Sequence, residues 1–158
     1  HLQVISRFNS IITRDFRGIL LQNVITCIDA HVKQYSKYLF DNSLIEFTLD
    51  GNNISITLNG KEYESLSGGE RQKVDIIIQF SIRDMLCEYM NFSSNILVLD
   101  EITDNLDKLG CQNVLQLINN ELKDVESIYI ISHRKDLDIP FDRKLIVEKN
   151  DKGFSVIH

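Results

Sequence analysis

The chain of 158 residues predicts an α/β fold: a parallel sheet with flanking helices, a small antiparallel meander, and a long N-terminal helix. Three observations carry that prediction. Apolar residues recur at helical spacing over two long stretches. A segment between those stretches alternates with a period of two. Two short unbroken apolar runs, Ile96-Leu97-Val98-Leu99 and Ile128-Tyr129-Ile130-Ile131, flank a further helical pattern. The composition agrees, since 43% apolar and 25% charged residues describe an ordinary globule, and the length allows one modest domain with a real core rather than two. It excludes a disordered, collagen-like or disulfide-dense chain.

The first helix is read from Ile5 to Leu39, where Ile12, Phe16, Ile19, Leu20, Val24, Ile28, Val32 and Tyr35 continue steps of three and four. Gly18 leaves two forms open, one long helix or two hinged there. Ile45, Phe47 and Leu49 then alternate, as do Ile54, Ile56 and Leu58, with turn residues at Asp50-Gly51-Asn52-Asn53 and Asn59-Gly60, so the stretch to Tyr63 reads as an antiparallel meander. After Ser67-Gly68-Gly69 a stripe of Val74, Ile77, Ile78, Ser81, Ile82, Met85, Leu86 and Tyr89 predicts a helix to near Asn91. The two apolar runs suit strands covered on both faces. A helix near Leu109 to Leu122 between them implies a right-handed parallel crossover. Lys144 to Glu148 and Phe154 to Ile157, joined by Asn150-Asp151-Lys152-Gly153, read as a closing hairpin.

Several function classes drop out. The first residues do not form a signal peptide and no window approaches a membrane span, so a cytoplasmic protein without membrane partners is expected. Cys27, Cys87 and Cys111 lie far apart without any CxxC, which argues against zinc and disulfides and for interior packing. A formal charge of −6 weakens any reading as a protein that coats nucleic acid.

The chemistry gathers at strand ends. Ligands of open parallel sheets sit beyond the carboxyl ends of the strands, and these two runs end in Asp100-Glu101 and Ser132-His133. Of the two acids, one suits a hard cation such as Mg²⁺ and the other suits orienting or deprotonating a water. A helix cap or a solvated loop accounts for such an acidic pair equally well. Leu66-Ser67-Gly68-Gly69-Glu70 has capping-box spacing between Ser67 and Glu70. Two glycines are not needed for a cap, yet they let an anion approach free amides at a helix N-terminus, so a phosphate would also fit. Arg71 and Lys73 read as a solvated first turn ahead of phosphate or DNA contacts, and His1, His31 and His158 as surface or terminal residues.

In this order, Leu66-Ser67-Gly68-Gly69-Glu70, the apolar run with Asp100-Glu101, Asn105-Leu106-Asp107 and Ser132-His133-Arg134 resemble the C-terminal half of an ABC-type P-loop NTPase head over about Glu62 to Glu148. The resemblance implies that Ser67 to Glu70 is the signature motif, that Asp100 holds Mg²⁺ as the Walker B aspartate, and that Glu101 is the catalytic base. It further implies that Leu106-Asp107 is the D-loop and His133 the switch histidine beside the γ-phosphate of ATP. The flanks, with Phe16-Arg17-Gly18-Ile19 in a long helix, strands before the signature, Ile102 in place of proline and Phe141-Asp142-Arg143 before a closing strand, resemble the SbcC and SMC-like DNA double-strand-break-repair ATPases.

A Walker A loop is missing from these residues. The one Gly-Lys pair, Gly60-Lys61, has Ser55 where the first glycine belongs and Glu62 after it. The resemblance supplies an explanation, since such heads join the two ends of a protein across an antiparallel coiled coil. Residues 1–40 are then expected at the coiled-coil root and residues 41–158 in the C-terminal lobe. The implied partners are an N-terminal Walker A lobe, a second head in an ATP-dependent dimer, an SbcD-like nuclease subunit and DNA. The rival readings are a transporter-type ATPase fragment and a non-enzymatic half-domain that docks a nuclease.

Overall fold

A single helix, α1 (Leu2–Leu39), runs through Gly18 without a break, and nothing lies within 4 Å of where a Cβ would stand there. The one-helix form is therefore adopted. The computed structural model describes residues 2–41, 44–50, 53–134, 141–150 and 155–157; within α1 the side chains described are Ile12 and those from 16 onward. Helix α1 divides along its length. Ile25, Ile28, Val32, Tyr35 and Leu39 are buried, whereas Ile12, Phe16, Ile19, Leu20 and Val24 are exposed. Ile5 and Phe8 of the expected stripe lie outside the described side chains, as do His1 and His158 altogether.

Strands β1 (Ile45–Asp50) and β2 (Asn53–Leu58) pair antiparallel, with Ile45 opposite Leu58, Phe47 opposite Ile56 and Leu49 opposite Ile54. The two-residue period thus points one face at the core, and burial fades from Ile45 and Leu58 to an exposed Ile54 at the far end. Gly51 and Asn52 of the expected turn are outside the described residues. Asn59 and Gly60 have φ of 52° and 75°, the mirror-image turn that Asn-Gly favours because its twist matches the strands it joins. It leads into the two-residue strand β3 (Lys61–Glu62).

Helix α2 (Gly68–Met90) ends where Asn91 turns left-handed, at φ 47°. It buries Val74, Ile76, Ile77, Phe80 and Ser81. Ile82, Leu86 and Tyr89 of the predicted stripe are exposed instead, and Ile76 and Phe80 take core positions in their place. Tyr35 of α1 meets Phe80 edge-on at 6.4 Å between ring centres. Periodicity shows which helix faces are apolar; only packing shows which of them meets a partner.

Strands β4 (Ile96–Asp100) and β5 (Ser127–Ile131), separated by α3 (Lys108–Glu121), pair in parallel as the crossover predicts. The expectation of two covered faces is corrected. Leu97, Leu99, Ile128 and Ile130 join the core, but Ile96, Val98, Tyr129 and Ile131 keep between 49% and 59% of their surface exposed. Helix packing covers one side of this sheet, and among the described residues nothing lies on the other. The last hairpin pairs β6 (Val147–Lys149) with β7 (Ser155–Ile157); β6 is shorter than the expected Lys144 to Glu148, and residues 151–154, which include Phe154 of the expected second strand, lie outside the described residues. Of the cysteines only Cys111 is fully interior; Cys87 is partly covered, and Cys27 is exposed although Ile25 and Ile28 on either side of it are buried. Among the described residues no helix is long and apolar enough to cross a membrane.

Candidate functional site

The parallel register sets Asp100 beside Ile131 at the carboxyl ends of β4 and β5. Immediately beyond, Glu101 has φ 54°, a left-handed conformation that is uncommon outside glycine, asparagine and aspartate. Such a residue costs on the order of 1–3 kcal/mol and persists only where its surroundings over-determine it. Here its amide donates to the carbonyl of Ile131 (2.9 Å), and its own carbonyl accepts from Asp104 (3.2 Å). The reversal brings Glu101 Oε1 to 3.0 Å from Nε2 of His133. Both side chains face solvent, His133 at 82% exposure and Glu101 at 52%, so His133 caps a half-covered strand rather than a buried one. Asp100 is exposed at the same strand end. Among the described residues no three His, Cys, Asp or Glu side chains cluster to hold a metal. A divalent cation at Asp100 would complete its shell with water and phosphate oxygens, the usual arrangement for Mg²⁺ with a nucleotide.

At the start of α2 the capping box forms in full. Ser67 Oγ accepts from the Glu70 amide (3.3 Å), while Glu70 Oε2 accepts from the Ser67 amide (2.8 Å) and hydroxyl (2.7 Å). The hydroxyl and amide of Ser67 hold the Glu70 carboxyl down to about 2, with Lys61 at 3.4 Å adding a smaller pull in the same direction. The capping reading of this motif is realised, and it is compatible with the phosphate reading. The amides of Gly68 and Gly69 have no hydrogen-bond partner among the described residues. Leu66, grouped with this motif in the sequence, sends its side chain into the core. Gly69 lies against the next loop, where a Cβ would stand 3.2 Å from the carbonyl oxygen of Asn105.

Asp107 caps α3, accepting from the Gly110 amide at 2.8 Å. Arg71 and Lys73 are corrected from solvated positions to packing ones. The Arg71 guanidinium sits 5.2 Å from the centre of the Tyr63 ring and donates to the Glu64 carbonyl (2.9 Å), and the Lys73 ammonium sits 5.5 Å from the centre of the Phe40 ring. His31 is also corrected: it lies largely covered between Asp84 and Glu88, with its ring nitrogens at 4.0 and 3.6 Å from their carboxylates. Sequence reasoning assigned no role to three residues around the loop after Glu101. Gln72 donates to the Ile102 carbonyl (3.2 Å), Thr103 is buried, and Arg134 donates to the Thr103 carbonyl (2.9 Å) and to that of Leu106. The adjacency of Arg134 to His133 was the one available signal for it; nothing in the sequence marks the other two.

No protein-family model matches the chain. It is 31% identical over 123 residues to exonuclease subunit 2 of Enterobacteria phage T4, a match covering 75% of this chain and 21% of that protein. It is 28% identical over 135 residues to a DNA double-strand break repair Rad50 ATPase of Methanococcus maripaludis, covering 85% of this chain and 13% of that protein. In three dimensions it matches, with a TM-score of 0.72 at 17% identity, a chain from a study of ATP-driven dimerization and DNA stimulated activation of SMC ATPases, covering 90% of this chain and 88% of that one. This is the C-terminal lobe of an ABC-type head, resembling those of the Rad50 and SMC ATPases. The Rad50-like lobe spans about a fifth or less of the length of these two curated relatives.

Proposed function

We propose that this lobe supplies half of an ATPase head in a DNA repair or recombination protein of the SbcC kind, one that controls a partner nuclease. The observation that carries the reading is the pairing of a left-handed Glu101 with His133 at 3.0 Å, beyond the ends of two parallel strands. A strained backbone that places a carboxylate against an imidazole at an exposed strand end suits a base and the group that orients it.

In this reading Glu101 takes a proton from the attacking water, and His133 steadies that carboxylate and faces the terminal phosphate. Asp100 would hold Mg²⁺, which when bound would offset the negative charge of the ATP phosphates. Ser67, Gly68 and Gly69 offer a hydroxyl and two amides at a helix N-terminus to the nucleotide of an opposing head, with Asp107 beside that junction. Engagement then requires Ser67 to exchange its bond with Glu70 for the phosphate. The bare side of β4 and β5 is where a Walker A lobe would seat, and the exposed line from Ile12 to Val24 on α1 suits the partner strand of a coiled coil. Strands precede the signature helix here, which favours the repair branch over a transporter.

The test is ATP turnover by the complete head, this chain together with its Walker A lobe, against its Glu101→Gln variant. The amide keeps the shape and loses the base, so turnover should fall by about 10²–10⁴-fold while ATP-dependent dimers persist on size-exclusion chromatography. An unchanged rate would refute the role of Glu101. Turnover by this chain alone, equal to that of the complete head, would refute the two-lobe reading.

A further inference from the structure

We propose that Arg134 is the positioning residue for Glu101: by clamping the far side of the turn that Glu101 opens, it keeps the carboxylate aimed at His133. The inference rests on the reading of Glu101 above and extends it to Arg134, which the sequence motif contains but to which the resemblance assigns no role. The turn over residues 101–106 has weak bonds of its own, since Asp104 N to the Glu101 carbonyl and Leu106 N to the Thr103 carbonyl are both 3.2 Å, at the long end for N–H···O. The stronger ties come from outside. Arg134 Nη1 donates to the carbonyl of Thr103 (2.9 Å) and to that of Leu106, and lies 3.3 Å from the Cys111 sulfur. These are charge-assisted bonds to carbonyls of two buried residues, where a cationic donor counts for more than a neutral one.

Ser132 adds to the clamp, because its hydroxyl accepts from the Arg134 amide (3.2 Å) and lies 3.4 Å from the Thr103 hydroxyl. On the opposite side Gln72 bonds the Ile102 carbonyl. Arg134 directly follows His133, so one short segment carries both the imidazole and the anchor of the residue facing it. If the guanidinium is removed, the turn is free to relax toward ordinary φ, and Glu101 swings away from His133.

The experiment uses the complete head with Arg134→Met and Arg134→Lys, following steady-state ATP turnover and hydrogen exchange over residues 101–106. Since a misplacement of about 1 Å can cost about 10²-fold in rate, Arg134→Met should lower kcat by roughly 10- to 100-fold with KM within about 2-fold. Exchange should quicken at Asp104 and Leu106 while β4 and α3 keep their protection. Arg134→Lys, which retains the charge without the fork, should fall between. Wild-type kcat in Arg134→Met overturns the proposal, and so does a loss of protection spread evenly across the lobe in either variant, which marks a merely structural arginine. Should Glu101→Gln keep full turnover, the base assignment fails, while the local exchange difference continues to test whether Arg134 holds the turn.

Discussion

Glu70 and Asp84 are both partnered carboxylates, yet their surroundings push them in opposite directions. Glu70 is exposed and held by Ser67, which lowers it from 4.5 to about 2. Its folded value lies below its unfolded one, so its contribution to stability is present above about pH 4.5 and is lost as the pH falls toward 2. In Glu70→Gln the urea midpoint should therefore drop less between pH 5 and pH 3 than in the parent chain. Asp84 is raised from 3.8 to about 6, chiefly by burial, with Asp124, Glu88 and Glu121 adding and His31 opposing. Its hydroxyl partner is Tyr35, and Arg83 lies at 2.6 Å. Because the folded chain binds this proton more tightly, stability is lost as the pH rises from about 4 through 6. Asp84→Asn keeps an acceptor for Tyr35 and removes that proton. It should gain stability relative to the parent at pH 7 compared with pH 4, read from denaturant midpoints at both.

At the scale of elements, α2 and α3 begin with the same device. Ser67 caps α2 and Asp107 caps α3, each accepting from the third amide of its helix. For Asp107 the cap stands beside the proposed role of a charge near a nucleotide, and the two can be separated. Asp107→Ala should cost about 1 kcal/mol in chemical denaturation, and Asp107→Asn almost nothing, because asparagine caps as well as aspartate. A fall in ATP turnover in Asp107→Asn would then report the charge alone. Gly110 belongs to the same device: a Cβ there would stand 2.8 Å from Asp107 Oδ1.

For the whole molecule, the decisive feature is the uncovered side of the two-stranded parallel sheet. Ile96, Val98, Tyr129 and Ile131 form an apolar surface beside strand edges left unpaired among the described residues, the kind of edge that recruits another strand. Covering such half-exposed side chains contributes roughly 1 kcal/mol apiece, which favours self-association. Sedimentation velocity should find this chain self-associated when alone. Val98→Lys with Tyr129→Lys should reduce that association and also weaken capture of a Walker A lobe. A monodisperse parent would remove the basis for that interface.

Much of this was legible in the residues alone. The meander, α3, the parallel crossover and the capping box follow from period, turn chemistry and spacing, which are local properties of the chain. So does the clustering of Asp100, Glu101, Ser132 and His133, because parallel strands place their carboxyl ends together. Packing decided the rest. Nothing local shows that Ile82 and Leu86 face outward while Ile76 and Phe80 face in, or that the β4–β5 sheet is covered on one side. Likewise the left-handed turn of Glu101, the buried Thr103 and the clamp from Arg134 depend on contacts between residues about thirty positions apart. Sequence periodicity records which groups avoid water, whereas the partner that each one finds is set only when distant segments compete for the same space.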